Sequence, residues 1–453
     1  MKVLILGSGA REHALGWGLR ADRPDAELLF APGNGGTHLL GRNVVVPLDD
    51  LPALVELARR EAPAFTLVGP EQPLALGVVD AFRAAGLPIF GPTRRAAEIE
   101  ASKVFSKALM RECGVPTAAF ETFVEPEAAI AHLRRSMFPQ VVKADGLAQG
   151  KGVYIIRGAE QGEAAIREIL SARRFGSAGE QIVIESFLDG EEVSAFALVR
   201  GEEFRIVALA RDHKRLLDHD AGPNTGGMGA VAPHPLDTPA LRRAIAAEVF
   251  APTLRALTRA GRPFQGLLYA GLMLVDGRPY ALEYNCRFGD PETQAIVPLF
   301  GSGLAAALLA VATGDGDLPT IELWREPSRP RQPHQDLSSI LAEHSTATSE
   351  TSAHSAYAAT VVLASAGYPD DPRLGFPIRG LEAAAEIPET FIFHGGTRLE
   401  GGKLLTSGGR VLSVTGRGAT PKMALSRAYD AVSLIDFEGK QHRRDIGATS
   451  VGR

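Results

Sequence analysis

The sequence predicts a multidomain chain that opens with a doubly wound α/β unit and continues into α+β units. Three observations predict it. Over the first hundred residues, short apolar runs closed by Gly or Pro alternate with helix-like stretches. Beyond Phe123 the strand-like runs crowd together, and one pair meets at a hairpin signal. The stretch 325–355 breaks the pattern before strands resume.

The first unit spans residues 1–101. Val3-Leu4-Ile5-Leu6, closed by Gly7, is a continuous apolar run, as expected of a strand buried on both faces of a parallel sheet. Similar runs occur at 28–30, 44–46, 65–68 and 88–90, with helix-like stretches at 51–61 and 74–85. Ser102 then caps a helix that Gly114-Val115-Pro116 stops after Cys113. A smaller unit at 123–186 holds a helix at 127–135 and strands at 140–144, 152–157 and 181–185. Strands follow at 194–199, 204–210, 267–275 and 280–284, the last two joined at Asp276-Gly277-Arg278. Residues 102–315 thus form the second unit.

The stretch 325–355 is rich in Pro, Ser, Thr, His and Glu and reads as a low-complexity insertion or linker. Strands at 357–363, 390–393 and 411–414 and a helix at 421–435 make an α+β unit over 356–453.

Composition excludes several functions. Lys and Arg total 48 against 53 Asp and Glu, a net charge of -5. That balance gives no electrostatic footprint for nucleic acid or an acidic membrane. Two cysteines, Cys113 and Cys286, allow neither a disulfide framework nor a Cys-rich zinc site. The histidines lack metal-ligand spacing. The longest apolar stretch, 304–312, is too short to span a bilayer. A cytoplasmic, monomeric protein is expected, with no nucleic-acid or membrane partner.

Several segments carry chemistry. Gly7-Ser8-Gly9-Ala10-Arg11-Glu12-His13 lies between a strand and a helix, where free N–H groups face an anion. A dinucleotide site needs a third glycine, and Glu12 stands in its place. A single phosphate, a phosphosugar or a purely structural turn are the other readings. Lys143, inside an apolar strand, precedes a glycine loop containing Gly150, Lys151 and Gly152, a combination that suits phosphate oxygens. It is not a Walker A loop, because no Gly-Lys-Ser/Thr opens a helix. On one strand end, Glu283, Asn285 and Arg287 share a face. The first two are hard oxygen donors suited to Mg²⁺ held against phosphates, and Arg287 can grip an oxyanion at two points. Asp290 and Glu292 follow at once. Arg211 to Arg215 is a dense charge run, and Gly222 to Gly229 is a loop with unusually many glycines.

Taken together, GSGAREHAL, VGPEQPL, IFGPT, VVKADGLAQGKGV, IESFLDGEEVS, RDHKR, GPNTGGMGA, LEYNCRFGDPETQ, GGRVLSVT and RRDIG resemble the phosphoribosylamine–glycine ligases, a family of the ATP-grasp superfamily. The resemblance covers nearly the whole chain. It implies a Rossmann-like N-terminal domain, an ATP-grasp central domain with a small lid, and a C-terminal domain. It also implies ligation of glycine to 5-phosphoribosylamine with ATP and Mg²⁺, or Mn²⁺ in its place, in purine biosynthesis. By position, Lys143 and either Lys103 or Lys107 would contact ATP phosphates. The backbone from Glu185 through Phe187 and Leu188 would read adenine, and Glu192 the ribose. Glu283 and Asn285 match the metal ligands. Arg287, Asp290 and Asp212 are implied for glycine. Arg11, Glu71, Asn224 and Thr225 are implied for the phosphoribosylamine, and Gly9 and Lys214 for substrate binding. Three departures stand out: Ala10 where glycine is usual, Gly271 where related enzymes place another metal carboxylate, and the 325–355 insertion.

Overall fold

The computed structural model describes residues 1–147, 152–324 and 356–448. The expectations placed on Gly150, Lys151 and the 325–355 stretch lie outside the described residues.

Strands β1 (Lys2–Gly7), β2 (Glu27–Pro32), β3 (Arg42–Asn43), β4 (Phe65–Val68) and β5 (Ile89–Phe90) form a parallel sheet in the order β3-β2-β1-β4-β5. The strand order reverses between β1 and β4, and parallel sheets bind ligands at the crevice beside such a reversal. Val3 and Ile5 enter one apolar cluster, Leu4 and Leu6 another. Burial on both faces is why the run is continuous. Two details differ from expectation. The third strand pairs through Arg42 and Asn43, not the following valines, and Val45 is 90% exposed. This is a sheet edge, where pairing makes little demand for apolar side chains. The helix expected at 74–85 is two helices, Glu71–Leu76 and Val78–Ala84, because Gly77 sits between them at φ 94°.

A smaller antiparallel sheet contains β6 (Phe120–Phe123), β7 (Gln140–Ala144), β8 (Val153–Ile156) and β9 (Ile182–Ser186), in the order β6-β9-β7-β8. Ile130, Leu133, Ile166 and Ile169 cover Val142, Ile156 and Ile184 on one of its faces.

The largest sheet holds β10 (Glu191–Arg200), β11 (Glu203–Asp212), β12 (Gly229–Ala232), β13 (Gln265–Val275), β14 (Arg278–Asn285), β15 (Tyr357–Ala364), β16 (Thr390–His394) and β17 (Arg410–Gly418). Their order is β14-β13-β10-β11-β12-β15-β17-β16. Along β10, Val193, Ala195, Ala197 and Val199 enter one cluster, Phe196 and Leu198 another. The C-terminal strands join this sheet, with Gly229–Ala232 laddered against residues 358–361. C-terminal side chains are thereby held in fixed register with β11 and the loop that leaves it. A further hairpin, Thr397–Glu400 with Lys403–Thr406, turns at Gly401-Gly402, both at positive φ.

Candidate active site

The helix Lys103–Cys113 begins where Ser102 Oγ accepts from Phe105 N at 3.0 Å and ends at Gly114 in the left-handed region, φ 72°. Lys103 and Lys107 sit one turn apart on it, and the structure gives them different environments. Lys107 is 2% exposed. Its Nζ lies 2.5 Å from Glu185 Oε2 and donates to Thr117 Oγ1 at 2.6 Å. Thr117 in turn donates to the Ala281 carbonyl at 2.6 Å, tying the helix to β14. Burial pulls the Lys107 pKa down to about 8 against the pull of Glu185. Lys143, from β7, ion-pairs with the other Glu185 oxygen and donates to the Leu282 carbonyl at 3.2 Å. Lys103 Nζ turns instead to the Gly146 carbonyl at 3.1 Å, where the glycine loop begins.

Burial pushes the Glu185 carboxyl up, but Lys143 and Lys107 outweigh it and hold it below the ordinary value. The Glu185 side chain is thus engaged within the protein, and its backbone is what it can offer a nucleotide. Half-buried Phe187 and Leu188 follow in the link to β10. Gly152 is buried, and its carbonyl accepts from Ala144 N at 2.9 Å. Glu192, near the start of β10, lies 3.2 Å from Lys214 Nζ.

On β14, Glu283 lies opposite Gly271 of β13. A Cβ built on Gly271 would stand 3.3 Å from Glu283 Cγ, so any larger residue there would crowd the glutamate. The Glu283 side chain is 32% exposed, and Lys214 Nζ lies 4.0 Å from its Oε1. Burial raises its pKa, but Lys214, Lys143 and Lys103 together bring it below the ordinary value. Asn285 Oδ1 accepts from Arg287 Nη2 at 3.1 Å. One anionic and one neutral oxygen on the same strand face fit a divalent cation that draws its other ligands from phosphate and water. Among the described residues, no group of three His, Cys, Asp or Glu side chains could hold a metal ion unaided.

Arg287 is held by Glu100 Oε1 at 3.2 Å and faces Glu71 Oε2 at 3.3 Å. Its Nε is buried and makes no hydrogen bond. Glu100 was not legible as a site residue. It lies in the helix Arg94–Ala101 with no motif around it, yet it also accepts from Cys286 N at 2.6 Å. Asp212 ends β11, and its Oδ1 is buried without a hydrogen-bond partner. Burial and then Glu292 push its pKa well above the ordinary value. Glu292 accepts from Ser194 Oγ at 3.0 Å, and that hydroxyl lies 2.9 Å from Tyr269 OH. Asp290 Oδ1 accepts from Gln294 Nε2 at 2.7 Å and lies 3.3 Å from Arg410 Nη1.

The first glycine turn closes on itself. Glu12 folds back so that Oε2 accepts from Gly9 N at 2.6 Å while Oε1 takes Arg11 Nε at 2.7 Å. A Cβ on Gly7, Gly9 or Gly69 would strike the Glu12 carboxyl group, so these glycines make room for it. The Gly9 N–H that a dinucleotide pyrophosphate would use is already taken. Arg11, 7% exposed, also donates to the Phe288 carbonyl at 3.0 Å and so ties this turn to the Arg287 to Glu292 segment.

Next to the turn lies a cavity of about 550 Å³ lined by Ser8, Gly9, Asn34, Asp290, Gly395 and Arg410, among others. Asn34 braces its wall, donating to the Ser8 carbonyl at 2.9 Å and the His394 carbonyl at 2.6 Å. Arg410, from β17, donates to the Gly226 carbonyl at 2.6 Å and the Asp290 carbonyl at 2.8 Å. It therefore joins the glycine loop to the segment after β14. Thr225 Oγ1 donates to the Lys214 carbonyl at 2.8 Å and accepts from Gly227 N at 3.0 Å, which shapes that loop. Asn224 pairs in register with Arg215. The Gly226-Gly227 turn fits only because Gly227 lacks a Cβ, which would meet Pro291 and lie 2.7 Å from Asp212 Oδ1.

Buried lysines where two sheets meet, a Glu and Asn pair on one strand and an arginine beyond them define an ATP-grasp enzyme, a class that uses ATP and a divalent metal. Residues 1–100, 101–293 and 358–449 match, in turn, the N domain, ATP-grasp (A) domain and C domain of phosphoribosylglycinamide synthetase. The chain belongs to this family and is a carbon–nitrogen ligase. It is 44% identical over 455 residues, covering all of both chains, to the phosphoribosylamine–glycine ligase of Chlorobaculum tepidum. The crystal structure of the Thermotoga maritima phosphoribosylamine–glycine ligase is 37% identical, with a TM-score of 0.79 over 98% of this chain and 100% of that one. The biotin carboxylase domain of Hydrogenobacter thermophilus 2-oxoglutarate carboxylase, solved with MgADP and bicarbonate, shares the fold at 16% identity, with a TM-score of 0.67 over 97% and 91% of the two chains. Among the described residues, no helix is long and apolar enough to cross a membrane.

Proposed function

We propose that this site makes glycinamide ribonucleotide by way of glycyl phosphate. As a member of its family the chain joins glycine to 5-phosphoribosylamine with ATP, in purine biosynthesis. A glycine carboxylate oxygen attacks the γ-phosphorus, and the bond to the ADP oxygen breaks. The amine nitrogen of phosphoribosylamine then attacks the acyl carbon. The carbon–oxygen bond to phosphate breaks, and the nitrogen sheds a proton as the amide forms.

Lys103 and Lys143 neutralise the ATP phosphates together with the glycine loop, including Gly150, Lys151 and Gly152. Lys107 keeps Glu185 in place, while the backbone from Glu185 through Phe187 to Leu188 reads adenine and Glu192 takes the ribose. Glu283 and Asn285 hold Mg²⁺, with Mn²⁺ the alternative. When bound, such a cation neutralises charge on the transferring phosphoryl group. Arg287 holds the glycine carboxylate once Glu71, 3.3 Å from its Nε, gives way. Asp212 Oδ1, unbonded, receives the glycine ammonium, whose positive charge favours the ionised aspartate. Lys214 and Asp290 border this pocket. The phosphoribosyl group enters the cavity beside Gly9, bounded by the ties that Arg11, Glu71, Asn224 and Thr225 maintain and by Arg410. Closure over the reactants keeps water from the acyl phosphate.

The observation that carries this reading is Arg287. Its Nε is buried and faces Glu71 Oε2 at 3.3 Å without a hydrogen bond, and it lies two residues beyond Asn285, where β14 ends. This supports a carboxylate holder next to the cation ligands, where attack on the γ-phosphate by a carboxylate is favoured over attack by an amine. Glycine labelled with heavy oxygen in its carboxylate should pass one labelled oxygen to inorganic phosphate per turnover. Product formed with unlabelled phosphate would eliminate the acyl phosphate route.

A further inference from the structure

β11 and β12 are neighbours in the large sheet, yet the chain between them leaves the sheet as a long hairpin. Its arms are Arg215–Leu217 and Ala221–Asn224, and its base is closed by hydrogen bonds from His213 N to the Gly229 carbonyl at 2.9 Å and from Met228 N to the His213 carbonyl at 2.8 Å. Asp212 and Lys214 stand at one root of this hairpin and Thr225 to Gly227 at the other. The tip is strained: His219 and Asp220 adopt φ of 58° and 52°. Non-glycine residues hold that conformation only where their surroundings enforce it.

The enforcing groups come from the far end of the chain. Arg443 is 1% exposed. Its Nη1 lies 2.6 Å from Asp220 Oδ1 and 3.3 Å from the Arg215 carbonyl. Its Nε and Nη2 form a two-point contact with Asp445, both at 2.8 Å. Asp445 Oδ2 accepts from His219 N at 2.8 Å, and Asp218 Oδ1 accepts from Arg444 N at 2.7 Å. Gly447 N reaches His213 Nε2 at 3.3 Å. The 443–447 segment is anchored independently of the hairpin. Tyr429 OH donates to the Arg443 carbonyl at 3.2 Å and accepts from Ile446 N at 3.0 Å. Tyr429 belongs to the helix Pro421–Leu434, packed on β17 and β15.

We propose that the Arg443 and Asp445 pair is a latch that positions the 213–228 hairpin, and through it Asp212 and Lys214, for binding glycine. Arg443 is a positioning residue: it acts on the substrate only through the hairpin. A fork of planar donors suits this task, because it fixes Asp445 in orientation while reaching Asp220 across the gap. The proposal rests on the assignment of Asp212 and Lys214 to the glycine side of the site.

The test uses the full-length enzyme and two variants, Arg443→Met and Asp220→Asn. Asp220 has a side chain 62% exposed, so its substitution strips the charge from one tip anchor without opening the core. Trypsin reads the order of the hairpin directly, since Lys214 and Arg215 are cleavage sites on it. With loss of a charge-assisted hydrogen bond, cleavage there and the KM for glycine should both rise roughly tenfold, while the KM for ATP stays within twofold. Arg443→Lys should recover part of the glycine affinity that Arg443→Met loses. Folded Asp220→Asn enzyme with cleavage and glycine KM within twofold of wild type would overturn the latch, whether or not Arg443→Met folds. Faster cleavage with an unchanged glycine KM would overturn its positioning role. Asp212→Asn, assayed alone, separates that outcome from an error in the glycine assignment, which it exposes by leaving the glycine KM unchanged.

Discussion

Glu185→Gln removes one charge and almost no volume, at the point where two buried lysines share one carboxylate. Lys107 and Lys143 have side chains 2% and 5% exposed, and Glu185 2%. Without the anion, Lys107 keeps the Thr117 hydroxyl and Lys143 the Leu282 carbonyl, both neutral acceptors. Removing one member of a buried ion pair costs about 3–5 kcal/mol. Against a total stability of about 5–15 kcal/mol, that loss should move a urea transition far toward lower concentration. The loss must also depend on pH. Lys107 titrates at about 8 in the folded protein, below the ~10.4 of an unfolded lysine. Between those values the unfolded chain binds more protons, so this group adds stability as pH rises through about 8. Above that pH, folded Lys107 is neutral, and its attraction to Glu185 is no longer there to lose. In the variant its folded pKa falls further, so the same gain begins at lower pH. The deficit between wild type and Glu185→Gln should therefore be largest below about pH 7 and shrink toward about pH 9. Urea melts of both proteins across this range measure it. A deficit under about 1 kcal/mol at the acidic end would refute the buried-pair account, and so would a deficit that does not change with pH.

Three further outcomes are expected. Gly69→Ala drives a methyl group into the Glu12 carboxyl group and should cost about 1–3 kcal/mol, read as a fall in Tm. An unchanged Tm would mean that Glu12 moves freely. Glu283→Gln should lower turnover by at least about 10- to 100-fold at limiting Mg²⁺ with little change in Tm. Near-normal turnover would remove Glu283 from the ligand set. Arg410→Ala should raise the KM for phosphoribosylamine well above any change for ATP, because it removes the single Nη1 that donates to both the Gly226 and the Asp290 carbonyl. Equal shifts in both values would make Arg410 a general structural residue.

The sequence was most informative where local chemistry decides the structure. Two-sided burial writes itself as the unbroken run Val3 to Leu6, and Ser102 and Gly114 mark the ends of their helix. Glu283 and Asn285 are legible because alternation alone puts them on one strand face, and Arg287 follows just past the end of β14. Residues brought from a distance were not. Arg410 touches the Gly226 carbonyl 184 residues earlier in the chain, and only the β12 to β15 ladder brings it there. Glu100 carries no motif and becomes a site residue only when β14 packs beside its helix. Lys103 and Lys107 could not be separated, because both lie on one helical face and the difference is what each one meets. The first glycine turn could be read as far as its misfit to a dinucleotide. That Glu12 itself fills the turn depends on Gly69, which arrives at the end of β4.

The pairing of charges in the crevice also divides its carboxylates by role. A phosphate or substrate carboxylate that approaches Lys143, Lys214 or Arg287 must share these cations with glutamates already beside them. Glu185, 2% exposed and bridging two lysines, can leave neither without stranding a buried cation. It therefore stays, and an arriving phosphate must share Lys143 with it. Glu71 and Glu192 have side chains 27% and 43% exposed, and each faces its cation at 3.3 and 3.2 Å. Such pairs contribute little, since water can replace the contact as they swing away. On the function proposed above, they keep Arg287 and Lys214 aligned and yield to a substrate that bonds in two places. The fixed anion and the yielding ones thus do opposite work: Glu185 sets where charge is held, while Glu71 and Glu192 keep the flanking cations available to a substrate.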